Sequence, residues 1–80
     1  VFELSSEFSI AEIAIPESWI GKSLVELNIR ERFHINIIGI RQGENVIVDL
    51  KPSEPLPEHC SVIAIGKNKD LNASSEGLCS

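Results

Sequence analysis

The chain has 80 residues, 42% of them apolar, and sets seven basic against twelve acidic side chains for a formal charge of −5. That length holds one domain at most and buries only about 60% of the surface its unfolded chain would expose. An acidic domain with no basic stripe argues against nucleic acid and anionic membrane surfaces as partners, and no apolar run approaches the roughly 20 residues that span a bilayer.

Isoleucine dominates the apolar set, which favours packed strands over a helical bundle. The apolar share is generous for so short a chain and predicts surface buried against a second copy. The N-terminus lacks a basic region followed by an apolar one, so no signal peptide is expected and the location is read as cytoplasmic. The first residue is Val1 rather than Met, which reads as a piece of something longer or a processed chain. Cys60 and Cys79 are too few for a secreted disulfide framework and read as two unpaired thiols.

The first strand is predicted over residues 8–15, where Ala11, Ile13 and Ile15 share one face and Ile10, Glu12 and Ala14 the other. Pro16 ends it, because proline cannot donate to a ladder. A loop with Trp19 and Ile20 as its apolar contacts leads to Ser23. There Ser23-Leu24-Val25-Glu26 is a capping-box pattern, with Ser23 expected to accept from the Glu26 amide and Glu26 to reach back to the Ser23 amide. Ile20, Leu24 and Leu27 follow helical spacing. The helix is expected to end near Asn28, with residues 29–34 as a turn or a further irregular helical piece.

The second strand is predicted over residues 35–41, with Ile35 and Ile37 on one face. Ile38 and Ile40 straddle the alternation, so both faces carry apolar bulk. A turn around Gly43 joins it to a third strand over residues 46–50. The segment 51–59 holds three of the four prolines and reads as a rigid polar loop. The last strand is predicted over residues 61–66, and residues 69–80 are expected to be a polar, frayed tail. Two strands joined this tightly must run antiparallel. The expected fold is α+β, a small sheet of about four strands with one short helix after the first (β-α-β-β-β). One short helix cannot cover both sheet faces, so Ile10, Ile38 and Ile40 are expected at an association surface between two copies.

Catalytic and metal chemistry find little support. Glu12 has no partner carboxylate at readable spacing. His34 and His59 lie far apart, with no acidic or thiolate ligand near His34. Gly21-Lys22-Ser23 lacks the earlier glycine of a phosphate-binding loop.

Taken together, Glu12 in the first strand, the Gly21-to-Leu24 turn, Glu26-Leu27 with Arg30, the strand from Ile35 to Ile40 followed by Arg41 and Gly43, the proline-containing loop and the closing strand to Gly66 resemble the C-terminal ligand-binding domain of regulators of K⁺ conductance. This is the RCK C-terminal, or TrkA-C, family. The resemblance runs from Glu12 to Gly66, implies a ligand-binding domain over residues 7–68, and is strongest to the soluble regulatory subunits of bacterial Ktr-type potassium uptake systems. It implies a non-enzymatic domain that forms homodimers and holds cyclic di-AMP in a cleft between protomers. The rest of the regulatory protein would link it to a membrane channel or transporter subunit. The positions carried over are Leu24, Ile29, Arg30, Ile35, Asn36, Ile37 and Pro52.

Each of these residues also has a plainer reading. Arg30 could pair with ligand phosphates or with Glu26 one turn earlier. Asn36 could bond a base or phosphate, or neighbouring backbone. Ile29, Ile35 and Ile37 could contact bases, or be core. Pro52 could wall the cleft, or only stiffen its loop. A purely structural dimerisation domain with no small ligand is the alternative to a sensor.

Overall fold

The computed structural model describes the backbone of residues 2–78 and the side chains of residues 2–73. Five strands form one antiparallel sheet: β1 (Phe2–Glu3), β2 (Phe8–Ala14), β3 (Asn36–Gln42), β4 (Asn45–Ile47) and β5 (Cys60–Lys67), in the order β1-β2-β5-β3-β4. A 3₁₀ turn at Glu17–Trp19 and two short helices, α1 (Leu24–Leu27) and α2 (Ile29–Phe33), connect β2 to β3. The α+β reading and the antiparallel pairing hold. The sheet gains one strand over the expected four because the short β1 pairs Phe2 with Ile10 and Glu3 with Ser9.

The expected frayed tail is corrected in part: α3 runs over Asn68–Leu78 and packs on β2 and β5. Asn68 secures its start. The Asn68 carboxamide oxygen accepts from the Ser9 hydroxyl at 2.5 Å, its amide donates to the Ser6 carbonyl, and its backbone N–H donates to the Glu7 carbonyl. Leu71 then enters the core. Cys79 lies outside the described residues, so the expectation about it is not addressed. The Cys60 thiol is free and buried, and burial pushes its pKa up.

Alternation divides β2 and β5 into two faces. Ser9, Ala11 and Ile13 with Cys60, Val62 and Ala64 are buried on the covered face. Above them sit Trp19, Leu27, Ile29, Ile35, Leu56 and Leu71. The other face is open, carrying Ile10, Glu12, Ser61, Ile63 and Ile65.

One residue breaks the alternation in β3. The register slips between Ile37, opposite Ala64, and Gly39, opposite Ile63, leaving Ile38 as a bulge. Ile40 is therefore opposite Val62 and packs against the core on the covered face, which corrects the expectation that it shares the uncovered face with Ile10. Ile10 does lie on the open face, and Ile38 is 40% exposed. Gly39 allows the bulge to sit close: a Cβ there would come within 3.3 Å of the Ile47 carbonyl.

Candidate ligand groove

Ser23 caps α1. Its hydroxyl accepts from the Glu26 amide at 3.1 Å and donates to the Glu26 carboxylate at 3.4 Å. Glu26 thus answers the hydroxyl rather than the Ser23 amide, a variation on the expected box. Asn28 then takes the left-handed conformation, φ +51°, with its N–H directed to the carbonyls of Leu24 and Val25. That residue ends α1 and re-aims the chain into α2. The result puts Ile29 inward, 4% exposed, and Arg30 outward.

The loop over residues 49–57 is clipped to this segment by backbone bonds. Gly21 donates to Leu56, Leu56 to Lys22 and Val25 to Pro52, at 2.9–3.1 Å. Gly21 meets this geometry at φ +82°, a region that glycine enters freely. Pro52 is thereby held against α1.

Leu24, Ile29, Arg30, Ile35, Asn36, Ile37 and Pro52 line one open depression of about 390 Å³, together with Val25. Their exposures differ. Ile29 and Ile35 belong to the core and offer only an edge to the groove, Leu24 and Ile37 are half-buried, and Arg30, Asn36 and Pro52 are exposed. Val25 was not singled out by the sequence. It falls off the inward Leu24–Leu27 stripe and is 65% exposed, and an apolar residue on a helix's outer side was the available signal.

The Arg30 Nε donates to the Asn36 carboxamide oxygen at 2.7 Å. Among the described residues the ion pairs are Arg41–Glu12 and Lys51–Glu54, so the Glu26 pairing considered for Arg30 does not form. The groove therefore presents an un-neutralised guanidinium beside apolar side chains.

A second polar cluster lies on the open sheet face. Glu12 accepts from Ser61 Oγ at 2.6 Å and from Arg41 Nε at 2.8 Å. The Ser61 bond first, and then Arg41, hold the Glu12 carboxyl below its ordinary pKa. A further depression of about 370 Å³ between β2 and α3 is lined by Ser9, Ala11, Ile13, Asn68 and Leu71, but its Ser9–Asn68 pair is already satisfied. Among the described residues no group of three or more His, Cys, Asp or Glu side chains could hold a metal ion, and no helix is long and apolar enough to cross a membrane. His34 instead closes α2 in the left-handed region.

Known proteins agree with this architecture. The Ktr system potassium uptake protein C of Bacillus subtilis (strain 168) is 36% identical over 70 residues, covering 88% of this chain and 32% of that protein. The chain thus spans about a third of that relative's length. The structure of the potassium transport protein KtrA RCK C domain in complex with cyclic diadenosine monophosphate superposes with TM-score 0.81 at 35% identity, covering 92% of this chain and 87% of the other. The RCK_C domain dimer of S. agalactiae BusR, in complex with the same nucleotide, shares the fold with TM-score 0.71 at 24% identity, covering 88% and 93%. The TrkA-C domain profile matches residues 10–76. With this match spanning most of its length, the chain belongs to the TrkA-C family of RCK C-terminal domains.

Proposed function

We propose that the domain is the sensor of a potassium uptake regulator and binds cyclic di-AMP in a cleft formed when two copies bring their grooves together. The observation that carries this reading is the groove itself, where an exposed arginine with no carboxylate partner among the described residues stands beside the apolar edges of Leu24, Ile29, Ile35 and Ile37. Guanidinium is a fork of donors suited to phosphate, and apolar edges suit the flat faces of bases. A relative at 35% identity is a KtrA domain in complex with that nucleotide, which supports the choice of ligand.

An open groove on one copy would leave much of a dinucleotide in water, whereas ligand sites bury most of their ligand. A two-fold pair of copies offers the same groups twice, to a ligand that itself carries two bases and two phosphates. The pair would form in the cytoplasm. Through the remainder of the regulatory subunit, ligand would favour one dimer geometry over another and so bias a membrane transporter. No step of this function is catalytic.

Calorimetry or thermal shift with cyclic di-AMP, AMP, ATP and NADH side by side tests the ligand. Cyclic di-AMP should bind and stabilise the domain well beyond the other three, and failure to bind overturns the sensor reading. Light scattering tests the assembly, and a monomer at high micromolar concentration with or without ligand overturns it. The exposed apolar side chains Phe8, Val46 and Val48 favour a second reading, a structural dimerisation domain. That reading survives if the dimer forms and no nucleotide binds.

A further inference from the structure

The sheet stops at β4, and that edge is bare. β4 pairs with β3 on one side, and no described strand lies on the other. Outside that ladder no backbone hydrogen bond engages residues 45–50 among the described residues. Alternate N–H and carbonyl groups of such an edge face away from the sheet. Proteins guard free edges with lysine, proline or a covering element. Asn45-Val46-Ile47-Val48 contains neither lysine nor proline, and Val46, Ile47 and Val48 are all exposed.

Beside this edge lies a depression of about 260 Å³. Its apolar wall includes Ile40, Ile47, Leu50 and Leu56, and the exposed Asp49 lines it too. Lys51 and Glu54, also in the lining, answer each other at 3.8 Å. Asp49 has no ion-pair partner among the described residues, and neither has Glu44 at the other end of the strand. Ile47 and Asp49 stand two residues apart, the spacing of neighbours on one strand face. This depression shares only Leu24 with the nucleotide groove.

These features favour a basic guest over a second copy. Two β4 strands paired antiparallel about Val46 and Ile47 would set Glu44 opposite Asp49 twice. Like charges directly opposite destabilise a ladder. A strand carrying lysine or arginine meets the same carboxylates with opposite charge.

We propose that β4 is a docking edge for an extended peptide segment of a partner protein. The segment adds to the sheet beside β4 and sets an apolar side chain into the depression next to Ile47. A basic residue two positions away meets Asp49. Main-chain bonds supply affinity in this mode, and the pocket and the carboxylate choose the sequence. The docking edge stands whether or not the groove binds a nucleotide.

The probe is a capped peptide, Thr-Lys-Val-Leu-Val-Lys-Thr, titrated into the whole chain and followed by NMR. Its lysines and leucine share one strand face. Binding should saturate with Kd below about 1 mM. The methyl signals of Ile40, Ile47 and Leu56 should shift, and amide exchange within residues 45–48 should slow. A counterpart with glutamate for both lysines should bind at least about tenfold more weakly. Asp49→Lys, at an exposed position, should weaken the lysine peptide by about fivefold to tenfold. Ile47→Ser should weaken it by about tenfold. N-methylation of one alternate set of peptide residues should abolish binding, while methylation of the other set leaves it, because only one edge of the guest faces β4. Absence of saturable binding overturns the proposal, as does equal affinity for the lysine and glutamate peptides. Equal effects of the two methylation sets overturn strand addition. Shifts confined to the methyls of Ile29 and Ile37 would move the contact to the groove and overturn the docking edge.

Discussion

Arg30 reaches the first residue of β3 and Arg41 lies near its last, and the fold uses these two identical side chains differently. Arg41 ends on a carboxylate, Glu12, which Ser61 also engages, so its charge is spent within the domain. Arg30 ends on a neutral carboxamide, so its charge remains. On a chain with a formal charge of −5, an anion must find a local positive anchor. The difference shows that the partner of a basic residue, rather than its presence in the sequence, marks a site for an anion.

The broadest way to break this contrast is to remove what holds the groove. Ile35 is 1% exposed and lies directly against Gly66, where a Cβ would approach its Cγ2 to 3.0 Å. Ile35→Ala opens a cavity in the core at the edge of the groove and should cost on the order of 2–5 kcal/mol, read by urea denaturation. Cyclic di-AMP affinity should fall with it. A variant as stable as the parent would show that this part of the core does not support the groove.

The next effect isolates the charge. Arg30→Ala should weaken cyclic di-AMP binding by about 30-fold or more, about 2 kcal/mol, which lies in the range for losing a charge-assisted contact in a desolvated cleft. The dimer should persist, because no apolar side chain is removed. Calorimetry alongside light scattering checks both halves. Affinity equal to the parent would place the anchor elsewhere.

Arg41→Ala is the matched control. Its partner is exposed and its charge already answered, so cyclic di-AMP affinity should stay within about twofold of the parent, with only a small fall in denaturant midpoint. A loss approaching that of Arg30→Ala would mean that the open sheet face, and not the groove, meets the ligand.

Much of this was legible in the residues. The strand periods, Pro16 and the Ser23 cap set the elements between residues 8 and 66 to within a residue or two. The exception is β4, which pairs only over Asn45–Ile47. The side of Ile40 was not legible, because a single bulged residue moves every later side chain to the other face without changing composition. Nor was β1, whose two residues are too few to show a period. The helix α3 was hidden by its Asn and Ser content, which disfavours helix in isolation. Its packing through Leu71 and its tether through Asn68 supply what propensity does not. For the groove, residue chemistry left Arg30 poised between Glu26 and a ligand. The deciding fact is tertiary: Glu26 turns back to Ser23, and β3 brings Asn36 within reach.

The smallest expected effect sharpens the other half of the contrast. The folded state lowers the Glu12 pKa from its ordinary value of 4.5, through the Ser61 bond first and Arg41 second. A carboxyl depressed in the folded state contributes stability above its unfolded pKa. That contribution is lost as pH falls through the unfolded value and on to the folded one. The domain should therefore lose a small increment of stability on acidification below about pH 4.5, beyond what its other carboxylates cause. The dependence on pH in that window should flatten in Ser61→Ala as well as in Arg41→Ala, since each removes a hydrogen bond to the Glu12 carboxylate. High salt should leave most of the effect in place, because hydrogen bonds outweigh the longer-range attraction of Arg41. If Ser61→Ala left the profile unchanged, or if salt erased it, Glu12 and Arg41 would be a simple surface ion pair. The charge of Arg41 would then be held no more firmly than that of Arg30, and the distinction between the two arginines would rest on the groove alone.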